Sequence, residues 1–303
     1  MRRPIPALII TFGVVFVFAY LLRIGLTKSQ LLGVVTTPSE TPQLSFIHSD
    51  RFYDPVLFKK GLIRRDTYRE NAHILGGIIP HHLLSSCLIA DFFARISPQQ
   101  PETIILIGPN HHEAGDFRVI TSNGGWQTQF GMIFPQKLLV DEIENQNLAG
   151  IDDTVLENEH SVSGIMDYIH YYLPETQVVP LILSGKLDFA EITRLADFLK
   201  EKISEKTILV SSVDFSHYLS VAEADKKDEL TIEFMKSHDY ESLLRLNNDH
   251  FDSPPAIVTQ LLTMSMIGAP EFDIISHTNS GIILKNPYTE TTSHFEIIFT
   301  IDR

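Results

Sequence analysis

The sequence predicts an α/β domain with a mainly parallel central sheet and helices on both faces, preceded by an N-terminal transmembrane helix. Two observations predict the domain. Short, wholly apolar runs such as Thr103–Ile107 (TIILI) and Val178–Leu183 (VVPLIL) alternate with longer runs whose apolar residues recur at helical spacing. Strands apolar on both faces belong to a parallel sheet covered by crossover helices. A third observation predicts the anchor: Pro6–Leu22 is a stretch of 17 residues without a charge, preceded by Arg2 and Arg3.

In chain order, that apolar stretch sits at the short end of membrane-spanning length and is apolar on every face, unlike a core helix of a soluble domain. No small-x-small cleavage site follows it, so an uncleaved signal anchor is favoured over a cleaved signal. Arg2 and Arg3 place the N-terminus in the cytoplasm, and the domain is expected outside it, held by a single-pass membrane anchor. Thr36–Gln43 (TTPSETPQ) reads as a linker. The expected division is residues 1–28 as anchor, 29–45 as linker and 46–303 as one α/β domain.

Within the domain, Ile74–Ile79 is a strand that Pro80 stops, and His82–Ile96 is a helix ending at Ser97-Pro98. Thr103–Ile107 ends at Gly108-Pro109. Val178–Leu183 and Thr207–Val210 are further strands, and Phe189–Ile203, Val221–Met235 and Pro255–Ile267 are helices. Phe272–Ile275, Gly281–Leu284 and Phe295–Ile301 read as closing strands. A net charge of −14 disfavours nucleic acid as a partner. The single cysteine, Cys87, excludes an internal disulfide and reads as a buried, inert thiol in an apolar helix.

Chemistry concentrates where strands end. Pro80-His81-His82, Gly108-Pro109-Asn110-His111-His112-Glu113 and Ser211-Ser212-Val213-Asp214-Phe215-Ser216-His217 each follow a strand. One histidine at a strand end is usually a hydrogen-bonded structural residue. Three at the carboxyl edge of one sheet, where open α/β sheets bind ligands, point to a transition-metal site. Glu157-Asn158-Glu159-His160-Ser161 reads equally well as partners orienting metal ligands or as a charged helix N-terminus. Asp214 is read either as holding the His217 imidazole for acid–base work or as a helix cap.

Taken together, these motifs resemble the Memo family (AmmeMemoRadiSam system protein B), which is related to the class III extradiol dioxygenases. The resemblance rests on Ile78-Ile79-Pro80-His81, on Gly108 to His112, on Trp126 with Thr128 and Gly131, and on Glu159-His160-Ser161. Leu173-Pro174, Val179-Pro180 and Ser211-Ser212 with Asp214-Phe215-Ser216-His217 continue it in order. It implies a Memo-like fold, with His81 and His111 as metal ligands. The family's third ligand is usually a cysteine. The matching stretch here is His250-Phe251-Asp252-Ser253-Pro254-Pro255, which makes Asp252 the third ligand, with His250 as its rival. A carboxylate favours Fe(II), with copper and zinc as alternatives. His217 matches the acid–base position of the dioxygenases, and Asp214 and His160 complete the catalytic candidates. The chain departs from the family at Val162-Ser163, where a carboxylate becomes Ser163, and at His82-Leu83-Leu84 after the first histidine. The resemblance implies metal-dependent redox or dioxygenase-type chemistry on a small-molecule or peptide substrate, and partner proteins of the AmmeMemoRadiSam system. A zinc hydrolase would keep the same ligands. A non-catalytic metal- or peptide-binding module on the same scaffold is the alternative.

Overall fold

The computed structural model describes residues 44–63, 72–286 and 288–302. In chain order its first half comprises β1 (Ile47–Ser49), α1 (Pro55–Gly61), β2 (Ala72–Ile79), α2 (Ser86–Ile96), β3 (Thr103–Pro109), β4 (Val119–Thr121), β5 (Gly125–Thr128), β6 (Gly131–Ile133), α3 (Lys137–Asn145) and β7 (Gly150–Ile151). The rest comprises α4 (Asp153–Glu157), α5 (His160–Ser163), α6 (Met166–Tyr172), β8 (Gln177–Leu183), α7 (Phe189–Lys200), β9 (Thr207–Ser212), α8 (Val221–Ser237), α9 (Tyr240–Leu244), α10 (Pro254–Met266), β10 (Asp273–Asn279), α11 (Ser280–Ile283) and β11 (Ser293–Asp302).

Eight strands form the main sheet in the order β10-β11-β2-β9-β3-β8-β4-β7. Its centre, β2-β9-β3-β8, is parallel throughout. The apolar runs lie there because both faces are covered. In β3, Ile105 and Ile107 join the core under α3, α7, α8 and α10, while Ile104 and Leu106 join the core under α2 and α6. Side chains alternate across a strand, so an unbroken apolar run feeds both layers. The Trp126 hairpin, β5 with β6, pairs with β1 in a separate three-stranded sheet.

The structure corrects several expectations. The sheet has a parallel centre but mixed flanks that the sequence did not predict: β10–β11, β11–β2 and β8–β4 pair antiparallel. An antiparallel edge is less fully covered and takes more polar residues, so it lacks the apolar signature of the centre. Gly281–Leu284 is the short helix α11, because Asn279 caps it by accepting from the Ile282 N–H at 2.9 Å. Cys87 is exposed rather than buried. The expected transmembrane helix, and with it the single-pass anchor and the extracytoplasmic domain, is also corrected. No helix among the described residues is long and apolar enough to cross a membrane. Pro6–Leu22, on which that expectation rested, lies outside the described residues.

Candidate metal centre

Strand order makes the site. β9 lies between β2 and β3, and all three run parallel. Their carboxyl ends therefore emerge side by side, strands being about 4.8 Å apart. β2 ends at Ile79 and His81 follows just past Pro80; β3 ends at Pro109 and His111 follows just past Asn110; β9 ends at Ser212 and Asp214 follows just past Val213. Asp252 arrives from a fourth segment, just ahead of Ser253, whose side chain caps α10.

The segment after β9 works as a clamp. Val213 N–H donates to Ile79 O at 2.8 Å, tying it to the end of β2. Asp252 N–H donates to Asp214 O at 3.1 Å, and Phe215 bridges Phe251. On its other side, Phe215 N–H donates to Ser293 O at 2.9 Å and Ser293 N–H returns a bond to Ser216 O at 2.8 Å. This backbone pairing delivers Asp252 from one flank and His294, on β11, from the other.

The side chains converge. Asp252 Oδ2 lies 3.2 Å from His81 Nε2 and 3.5 Å from His111 Nε2. Asp214 Oδ2 lies 3.5 Å from His81 Nε2. The rings of His81 and His111 are 5.1 Å apart and perpendicular, and His160 stacks on His111 at 4.2 Å. Ring nitrogens of His81, His111 and His160 fall within 4.8 Å of one another, as do single donor atoms of His81, Asp214 and Asp252.

Both leading imidazoles are held from behind. His81 Nδ1 faces Ser212 O at 3.2 Å, and His111 Nδ1 faces Glu159 Oε1 at 2.8 Å. Each contact turns the Nε2 atom toward Asp252, the arrangement by which outer partners orient metal ligands. Glu159 also accepts from the His111 N–H at 2.9 Å and the Ser161 N–H at 3.0 Å, and its side chain is buried.

Three buried carboxylates meet here, and the electrostatics favour a positive charge. Burial alone would lower His81, but Asp214 and Asp252 outweigh it and raise the pKa. Burial likewise opposes protonation of His111, yet contacts with Asp252 and Glu159 carry it up to about 10. Burial would raise Glu159, but its bonds with His111 bring it down to about 2. Asp214 and Asp252 are held below the usual carboxylate range against burial, chiefly by His81. His160 goes the other way: burial, with the charges of His81 and His111, lowers it to about 4.

These residues fit a metal site. Asp252 Oδ1 is buried with no hydrogen-bond partner among the described residues, a cost that a bound cation would relieve. The donors are imidazole nitrogen and carboxylate oxygen, the set preferred by divalent transition ions.

The other expectations divide. His160 stands beside His111, its ring stacked on it. Asp214 neither caps a helix nor holds His217; its Oδ1 meets His294 Nδ1 at 2.9 Å, and Ser220 caps α8. His217 lies near enough to help lower Asp214, but no hydrogen bond or ion pair joins the two among the described residues. Its Nδ1 is buried without a partner among those residues. His250, the rival ligand, faces Thr231 on α8 at 2.8 Å. The sequence reading missed His294, which is fully buried. Its one signal was a histidine just ahead of the predicted closing strand Phe295–Ile301.

A family model described as Memo-like protein matches residues 59–291. This chain belongs to the Memo-like family. Among its Memo-family relatives, a MEMO1 family protein of Aquifex aeolicus is 26% identical over 230 residues, covering 73% of this chain and 84% of the relative. A MEMO1 family protein of Caldivirga maquilingensis is 25% identical over 221 residues, covering 69% and 77%. One from Methanobrevibacter smithii is 25% identical over 228 residues, covering 72% and 80%. The relation to class III extradiol dioxygenases read from the sequence is consistent with this Memo fold.

Proposed function

We propose that this Memo-like domain is a non-haem metalloenzyme that holds one divalent ion, Fe(II), through His81, His111 and Asp252 and carries out redox or dioxygenase-type chemistry. The observation that carries the reading is Asp252 Oδ2 set between two imidazole Nε2 atoms, at 3.2 and 3.5 Å. Two histidines and one carboxylate form a facial set that leaves coordination positions open, and iron so held supplies binding and activation of substrate or dioxygen.

The remaining residues do the work of the protein. Ser212 and Glu159 fix the two rings. Asp214, anchored by His294, holds negative charge beside His81 and sharpens its orientation. His160 is neutral near pH 7 and lines the open side of His111, placed to take a proton from a bound substrate. His217 flanks Asp214 with a free Nδ1 and is the second proton carrier. As part of the same proposal, the substrate is a small molecule or peptide, and other proteins of the AmmeMemoRadiSam system are its partners.

The full chain loaded with iron should lose one equivalent in the His81→Ala/His111→Ala double variant, measured by elemental analysis. Unchanged iron stoichiometry would overturn the ligand assignment. Oxygen uptake with catechol-type substrates separates the enzyme from a non-catalytic metal- or peptide-binding module. Silence from the iron-loaded chain across such a panel favours the module.

A further inference from the structure

We propose a second metal site, remote from the first in sequence, in which Asp225 and Asp228 on α8 and His277 on β10 bind a divalent first-row transition ion. Each of the three residues offers a donor atom, and these atoms lie within 4.8 Å of one another.

Asp225 and Asp228 are three apart on one helix, so both carboxylates project from the same face. His277 comes from the outermost strand of the main sheet, with Nε2 3.1 Å from Asp228 Oδ2. The bland reading is a simple His–Asp pair at a helix–strand contact. Two observations go beyond it. Asp228 is only 1% exposed, yet its Oδ1 has no hydrogen-bond partner among the described residues. A carboxylate oxygen taken out of water and left unpaired is costly, and a cation facing it removes that cost. Second, the imidazole is preorganised. His277 stacks on Phe295, its directly paired residue on β11, with ring centroids 4.0 Å apart and planes 12° from parallel. A ring pinned in this way loses little freedom on binding an ion.

The chemistry of the donors selects the ligand. One imidazole and two carboxylates neutralise a divalent ion, and the imidazole favours zinc-like ions over calcium or magnesium. The nearby lysine Lys227 extends toward Asp249, at 3.7 Å, rather than filling the position itself. Tetrahedral zinc, with bonds of about 2.0–2.1 Å, keeps its ligand atoms roughly 3.4 Å apart. The His277 side chain is one-third exposed, so an ion can reach it from solvent. An ion here staples α8 to the edge strand, so its effect is on stability rather than on turnover.

The test uses the metal-free full chain titrated with Zn²⁺ against a chromophoric chelator. The wild type should bind two ions. Asp228→Asn and His277→Gln should each bind one, as should His81→Ala, and His81→Ala/His277→Gln should bind none. Zn²⁺ should also raise the Tm of His81→Ala but not of His81→Ala/His277→Gln. His277 sits at the surface, so His277→Gln carries the test if Asp228→Asn folds poorly. Wild-type stoichiometry in His277→Gln, or no zinc bound by His81→Ala, would overturn the proposal. One ion in the wild type that survives in His81→Ala and is lost in His277→Gln supports this site and refutes the first.

Discussion

Replacing Glu159 separates how the site is held from how the fold is held. Its two oxygens serve three donors: Oε1 takes His111 Nδ1–H at 2.8 Å and Ser161 N–H at 3.0 Å, and Oε2 takes the His111 N–H at 2.9 Å. Glu159→Ala leaves all three unpaired. Ser161 is fully buried, so its orphaned N–H alone costs about 1–3 kcal/mol, whereas the donors of the part-exposed His111 can turn to water more cheaply. The sum expected is about 2–4 kcal/mol of stability. Glu159→Gln keeps a carbonyl oxygen at Oε1 and sets an amide NH₂ against the His111 N–H, which loses one bond, about 1 kcal/mol. Both variants release the His111 ring and should weaken metal binding about 10–100-fold. The assay is urea unfolding followed by the fluorescence of Trp126, the single, buried tryptophan, alongside metal competition. The order wild type, Gln, Ala should hold in midpoint at constant slope. An Ala variant within about 0.5 kcal/mol of wild type, or a Gln variant with unchanged metal affinity, refutes the assigned role of Glu159.

Three further outcomes follow from the geometry. Asp252→Cys replaces a hard oxygen with a thiolate and should shift preference from Fe(II) toward Cu(I) or Zn(II) in a competition assay; an unchanged order of preference removes Asp252 from the ligand set. Gly108→Ala would put a methyl group 2.5 Å from Ser161 Oγ, next to the residues carrying Glu159 and His160, so about 1–3 kcal/mol of stability and part of the metal affinity should go together; unfolding curves that match wild type contradict the tight fit. The third concerns pH. Burial lowers His48 to about 4 from 6.5, so the unfolded chain takes its proton first. Stability from this group is full above pH 6.5 and is lost as pH falls toward 4, up to about 3 kcal/mol. His48→Gln removes this loss, so its stability relative to wild type should improve between pH 7 and 4.5. A difference constant with pH shows that His48 titrates normally.

The parallel centre was legible because burial on both faces writes itself into composition. Ile104 to Ile107 have no polar residue to spare for either side. The edges were not legible. β10 and β11 carry His277, His294 and Glu296 in among apolar residues, and their antiparallel pairing depends on partners far along the chain. Of the site, His81 and His111 could be placed from strand ends, because each follows a sharp Pro punctuation, whereas Asp252 came only from the family resemblance, with His250 as its rival. The partner of Asp214 could not. His217, three residues on, was the local choice, but Phe215 spends its backbone bonds on β11 and so brings in His294 instead. A register between distant strands decided that pairing, and no local spacing encodes it.

One strand from the far end of the domain completes this flank of the sheet: β11 slots between β10 and β2. Until residues 293–302 emerge, β2 presents a raw flank of unpaired amides and carbonyls to any passing chain. A chain stopped before that point lacks His294 and offers a sticky border, so covering the flank of β2 and supplying the partner of Asp214 become a single event.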